Sequence, residues 1–138
     1  MALSLPLLKQ DAPSVDFRQG LLSAYGNRCA VTRVQLRRVD AAHILPVGAP
    51  ESVDQVRNGV ALSPTYHRAF DAGLIYLDEQ FCMRLNDGNM HALQQLNLVR
   101  GLRTFKGPLE LIFLPPDPAQ RPSTDFIRRA NRFRQIEV

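Results

Sequence analysis

The amino-acid sequence predicts a single α+β domain, and three observations predict it. Two short segments that can be extended, near residues 36–45 and 60–62, flank a loop rich in proline, glycine and polar residues. A short helix with clear start and stop signals follows the second of them. Beyond it come a strand-like hairpin, a proline spacer and a final segment with apolar residues at helical spacing. Short strands and helices interspersed along 138 residues suit one core of ordinary size, not two.

Residues 1–27 read as an N-terminal arm and helix. The opening MALSLPLLKQ is apolar but short, is broken by Pro6 and has no basic flank before it, so it makes a poor signal peptide. Residues 11–14 read as a linker. Asp16 is a candidate cap for a helix over residues 17–25, with Leu21 and Leu22 facing inward and Gly26 and Asn27 ending it. Residues 28–78 form the middle unit. Its parts are the apolar RCAVT, an extended segment over 36–45, an exposed loop over 46–57, a turn at Asn58-Gly59 and a second strand over 60–62. Ser63 is a good N-cap and Pro64 fits the first helical position, so the following TYHRAFDA predicts a helix that stops at Gly73.

Residues 79–138 carry the remainder. Residues 74–77 and 81–85 pair as a hairpin across 78–80, and 86–89 is a turn cluster. Residues 90–99 are ambiguous between helix and other structure. Residues 109–114 are a strand candidate, and 115–118 form a stiff spacer. Ser123 or Thr124 caps a last helix over about 125–135, with Phe126, Ala130 and Phe133 at helical spacing.

Composition narrows the partners. Basic residues total 17 against 13 acidic ones, for a net charge of +4 and an isoelectric point near 9.6. Lysine occurs only at Lys9 and Lys106, so the remaining basic residues are arginine, the better fork for phosphate oxygens. A small, arginine-biased basic domain fits a nucleic-acid partner as well as a merely soluble surface. Cys29 and Cys82 stand alone, which excludes a four-cysteine zinc site and reads as two thiols in a reducing compartment. No apolar run reaches the roughly 20 residues that a membrane helix needs. The expected location is the cytoplasm.

Three histidines bear on chemistry: His43, His67 and His91. His43 lies at the end of the first strand. His67 and Asp71 are four apart on the short helix and share one face, where a histidine and a carboxylate can hold one divalent ion. A neutral imidazole can take the proton of an attacking water, and a cation nearby can stabilise charge on a phosphate. A base that itself bound the metal would lose its lone pair, which divides the roles between His43 and the helix pair. Asn58 can hold the intervening loop through side-chain bonds to backbone. Read singly, each has a plainer meaning: a core histidine, a helix surface pair, a turn asparagine. His91 has no partner in the pattern and is expected on the surface. Asp40 is three residues from His43, so on a regular strand it faces the other way and is not expected to join the site.

Taken together, RCAVT, AAHILP and NGVALSPTYHRAFDAGLIYLD resemble the HNH motif of the ββα-metal nucleases, in the branch found among bacterial restriction-type endonucleases. The likeness covers about residues 28–78, and its NG-LS-HRAFD-G-I portion is the most specific. The resemblance implies a ββα-metal (HNH) core with flanking helices and an additional β-hairpin. It implies a metal-dependent DNA endonuclease with catalytic His43, Asn58 and His67 and metal ligands His67 and Asp71. The implied partner is double-stranded DNA, with a separate DNA-recognition domain on a longer parent. The implied cofactor is one divalent ion, Mg²⁺ or Mn²⁺, with Zn²⁺ or Ni²⁺ able to replace it. Ala42 stands where many members carry a further metal ligand, and the cysteines of the zinc-ribbon members are missing. A catalytically decayed DNA-binding module is therefore the alternative, and an interaction domain on the same fold a more distant one. Arg57 and Arg68 beside the motif are candidates for DNA contact, as are Arg128 and Arg132 on the last helix. That helix, with Arg129 and Arg134, presents either a DNA-facing stripe or a solvated face.

Overall fold

A computed structural model describes residues 14–36 and 38–137. The expectations for the opening apolar stretch and for residues 11–13 lie outside the described residues. At the centre is an antiparallel hairpin of β1 (Asp40–His43) and β2 (Gly59–Leu62), with Asp40 opposite Leu62 and His43 opposite Gly59. Strand β1 is shorter than the extended segment expected over 36–45. Side chains alternate along a strand, and antiparallel partners share a face. Ala41 and His43 therefore look to one side, Asp40 and Ala42 to the other.

Helix α1 (Val15–Ala24) covers the first side. Its cap is Ser14, whose hydroxyl accepts from Phe17 N at 3.1 Å, and not Asp16, which lies inside the first turn. Phe17, Leu21 and Ala24 fall one turn apart and are buried, while Leu22 is partly buried. Helix α2 (Pro64–Asp71) covers the second side, burying Tyr66, Ala69 and Phe70. Its bounds follow the expected signals, with Pro64 at the start and Gly73 at φ +76° beyond the end. Ser63 occupies the cap position without a capping side-chain bond.

Gly59 is not a turn residue. Asn58 closes a single 3₁₀ turn (Val56–Asn58), and Gly59 follows at φ −136°, ψ 158°, in extended backbone. Packing demands the glycine: a Cβ there would lie 2.6 Å from Leu21 Cδ2 and 3.0 Å from Phe17 Cζ, pushing α1 off the hairpin. Gly59→Ala is expected to cost about 1–3 kcal/mol of stability, read as a lower urea midpoint. Stability within a few tenths of wild type would show that Leu21 and Phe17 give way freely.

The second half adds a smaller hairpin, β3 (Ile75–Leu77) with β4 (Met83–Leu85). Asp78 closes its turn, Oδ1 accepting from Gln80 N and Cys82 N, both at 2.9 Å, while Oδ2 pairs with Arg84. The strand expected over 109–114 reduces to one bridge, Cys82 with Leu111. Two residues on, Phe113 N turns away to donate to Ala30 O, and the prolines that follow bring no donor. The turn cluster at 86–89 is instead a helix start: Asn86 accepts from Gly88 N and caps α3 (Asp87–Gln95). A further short helix, α4 (Leu102–Lys106), was not foreseen; its Phe105 stacks on Tyr66 with centroids 4.8 Å apart. Helix α5 (Thr124–Phe133) packs Ile127, Ala130 and Asn131 inward, with Asn131 Nδ2 donating to Leu77 O at 3.0 Å. Phe133, expected in the inward row, is 50% exposed, because that bond turns the helix onto its 127–130–131 face. Among the described residues no helix is long and apolar enough to cross a membrane.

Candidate active site

Asn58 organises the loop that joins the two strands of the central hairpin. It is fully buried, an expensive place for an amide unless every polar atom is paired. Its Oδ1 accepts from Leu45 N at 2.8 Å, and its Nδ2 donates to Val53 O at 2.9 Å, with longer approaches to Ser52 Oγ and Leu45 O. One side chain thus ties both ends of residues 45–53 together. Leu45 is two residues past His43, so the backbone carrying that imidazole is held directly.

His43 ends β1 on the α1 side. Its ring is 7% exposed and stacks on Phe17, centroids 4.4 Å apart and planes 13° from parallel. Nε2 lies 2.8 Å from Oδ1 of Asp54, in the loop. The other oxygen of Asp54 accepts from Ser14 N at 3.0 Å, tying this carboxylate to the cap residue of α1. Burial works against ionisation of Asp54, but the bonds from His43 and Ser14 outweigh it and hold the carboxyl below its ordinary range. Sequence reasoning missed Asp54, since nothing in a proline-containing loop marks which carboxylate folds back onto a ring 11 residues earlier.

His67 lies on α2 between two carboxylates. Nδ1 is 3.0 Å from Asp40 Oδ2, and Nε2 is 3.2 Å from Asp71 Oδ2. The bond to Asp71 is the chief cause that raises the imidazole pKa from 6.5 to about 9; burial opposes it, and Asp40 adds to it. Asp40 thus meets His67, a contact that strand alternation alone does not predict. It does face away from His43, as strand alternation requires, but α2 lies on that other face and brings His67 to it. Without metal, His67 is thus a cation flanked by two anions. A raised folded-state pKa gives stability that is present in full below pH 6.5 and is lost as pH rises through about 9. In chelator, the wild type is expected to lose about 1–2 kcal/mol more than His67→Asn between pH 6 and 10, after allowance for the half-exposed carboxylates. Parallel urea titrations check this, and identical pH profiles would refute it.

These donors, an imidazole nitrogen and carboxylate oxygens, suit a divalent ion in kind. They do not converge, since each carboxylate sits at a different ring nitrogen. Among the described residues no group of three His, Cys, Asp or Glu side chains is placed to hold a metal. An ion here would have His67 and one carboxylate as its protein ligands.

The His43 and His67 clusters lie on opposite faces of the hairpin, with no hydrogen bond between them among the described residues. Arg134, just past α5, connects their far ends. Its Nη1 donates to Ile44 O at 2.9 Å, Nη2 stands 4.0 Å from Asp71 Oδ1, and the guanidinium lies over Phe70 at 4.6 Å. The other arginines are dispersed. Arg57 donates to the backbone oxygen of Arg121. Arg128 pairs with Glu79 and Asp125, and Arg129 with Glu51 and Asp125. Arg68 and Arg132 are exposed. His91 is exposed as expected, bonded to Gln95. Cys29 is buried, Cys82 is half-buried, and both are free.

Residues 29–78 match a family model described as HNH endonuclease. No curated protein matches the chain. Among solved structures, it is similar to a modification dependent TagI restriction endonuclease, with a TM-score of 0.60 and 18% identity. That match covers 91% of this chain and 39% of the other, so the chain spans about two fifths of that protein's length, and the likeness is one of fold.

Proposed function

From the premise that residues 29–78 are an HNH endonuclease domain, we propose that the chain hydrolyses DNA phosphodiester bonds with the help of one divalent cation. The observation that carries the reading is the match of residues 29–78 to an HNH endonuclease model, with the three motif residues in order on strand, loop and helix. His43 ends one strand, Asn58 locks the loop behind it, and His67 stands on the helix across the hairpin between two acids. His43 is the general base that takes a proton from the attacking water. His67 holds the ion together with Asp71 or Asp40. When bound, the ion stabilises charge on the phosphate and the leaving oxygen, as Mg²⁺ or Mn²⁺ can. Exposed Arg68 and Arg132 meet backbone phosphate, which positions DNA without reading its sequence. We place the protein in the cytoplasm, in keeping with its two free thiols. Its fold likeness to a modification dependent restriction enzyme supports a cleavage module whose recognition part lies elsewhere in a longer parent.

Supercoiled plasmid incubated with the protein and Mn²⁺ or Mg²⁺ is expected to be nicked, and excess chelator to stop the reaction. Nicking that continues in chelator would remove the ion from the mechanism. Two observations favour a second reading, a decayed DNA-binding module: Ala42 supplies no ligand, and His67, Asp40 and Asp71 do not converge on one point. Binding at low salt without cleavage, across several metals and modified DNAs, is the result that reading expects.

A further inference from the structure

A base buried to 7% exposure works only if one ring nitrogen keeps a free lone pair facing water. The surroundings of His43 decide which one. Nε2 is committed to Asp54 at 2.8 Å. Asp54 is an ionised carboxylate at neutral pH, and an ionised carboxylate only accepts hydrogen bonds. The ring proton therefore sits on Nε2, and the lone pair is on Nδ1. Nδ1 makes no hydrogen bond among the described residues. It is also absent from the buried, unpartnered side-chain atoms there, which are Tyr25 Oη, Arg28 Nε, and Nε and Nη2 of Arg134. Of the two ring nitrogens, Nδ1 is thus the one left without a partner among the described residues. The ring cannot easily turn, because Phe17 stacks on its face and Ser14 N anchors the far oxygen of Asp54.

We propose that Asp54 is the positioning residue of the base, holding His43 with its proton on Nε2 so that Nδ1 is the atom that takes the proton from water. This rests on His43 being the general base. In the step, an O–H bond of water breaks and its proton passes to Nδ1. The freed electron pair forms the new O–P bond as the P–O bond to the leaving oxygen breaks, and that oxygen gains a proton from solvent. The imidazolium that results keeps its Nε2–H on Asp54, whose negative charge stabilises it, and it returns the Nδ1 proton to solvent. This is the logic by which a carboxylate fixes the tautomer of a catalytic histidine.

The test combines long-range nitrogen–proton NMR of His43 with plasmid nicking in Mn²⁺, on the wild-type chain, Asp54→Ala, Asp54→Asn and His43→Ala. Neutral His43 is expected to be the Nε2–H tautomer in wild type and a mixture of tautomers in Asp54→Ala; in Asp54→Asn the one carbonyl oxygen stays with Ser14 N and the amide donates to Nε2, which moves the ring toward the Nδ1–H tautomer. The kcat of Asp54→Ala is expected to fall about 10- to 100-fold at unchanged DNA affinity, with Asp54→Asn falling at least as far. A residue that merely ties down the loop would leave the tautomer unmoved. An Nδ1–H tautomer in wild type overturns the proposal, as does a kcat untouched in Asp54→Ala while His43→Ala is inactive. If His43→Ala cleaves like wild type, the base assignment has failed and this role falls with it. Should Asp54→Ala not fold, the wild-type tautomer and the asparagine variant still decide.

Discussion

Replacing His43 by alanine is expected to lower the single-turnover rate of plasmid nicking by about 10² to 10⁴-fold, with DNA affinity retained. The range is that of general-base catalysis by a positioned side chain. Affinity should persist because the ring lies under α1, where a phosphate backbone does not contact it broadly. Truncation also leaves a hole against Phe17, so His43→Gln is the companion variant: it fills most of the space and cannot accept a proton at neutral pH. Both variants should be inactive while melting within a few degrees of wild type. Full cleavage by the glutamine variant would show that the water loses its proton elsewhere.

The second large effect is on stability. Asn58→Ala removes a fully buried amide whose partners are Leu45 N, Leu45 O, Val53 O and Ser52 Oγ. Each buried group left unpaired costs about 1–3 kcal/mol, less where water enters. The variant is expected to lose about 3–4 kcal/mol, a large part of the stability of a domain this size. Asn58→Asp, nearly the same shape, should be no better, because it turns a carboxylate toward two carbonyl oxygens. Urea unfolding checks both, and a loss below about 1 kcal/mol would mean that the loop holds itself. Unlike His43→Ala, these variants should lose cleavage and stability together.

Signals confined to a few residues were legible. Pro64 and Gly73 bound α2 correctly because they act through their own backbone angles. The opposite facing of Asp40 and His43 was also legible, since strand alternation is local. What failed needed knowledge of the neighbours. Whether Asp40 joins His67 depends on which face α2 covers, and whether Asp54 reaches His43 depends on how a loop folds over α1. Residues 109–114 have strand composition but only one bridging partner. Asn86 looked like a turn and proved to be a cap, a role that differs only in what the next residues do. Gly59 was identified at the right place for the wrong reason, as a turn residue instead of a gap for Leu21 and Phe17.

Strand β1 has only four residues, and parity along it decides which groups face α1 and which face α2. Asp40 and His43 differ by an odd number of positions, with two small alanines between them. Sliding the strand by one position would swap its two surfaces, sending the imidazole toward α2 and the acid toward Phe17. Deleting or duplicating one alanine here should thus be far more damaging than lengthening the surface loop near Gly48. The strand works as a reading frame, and the tight seat of Gly59 beneath α1 keeps it in phase.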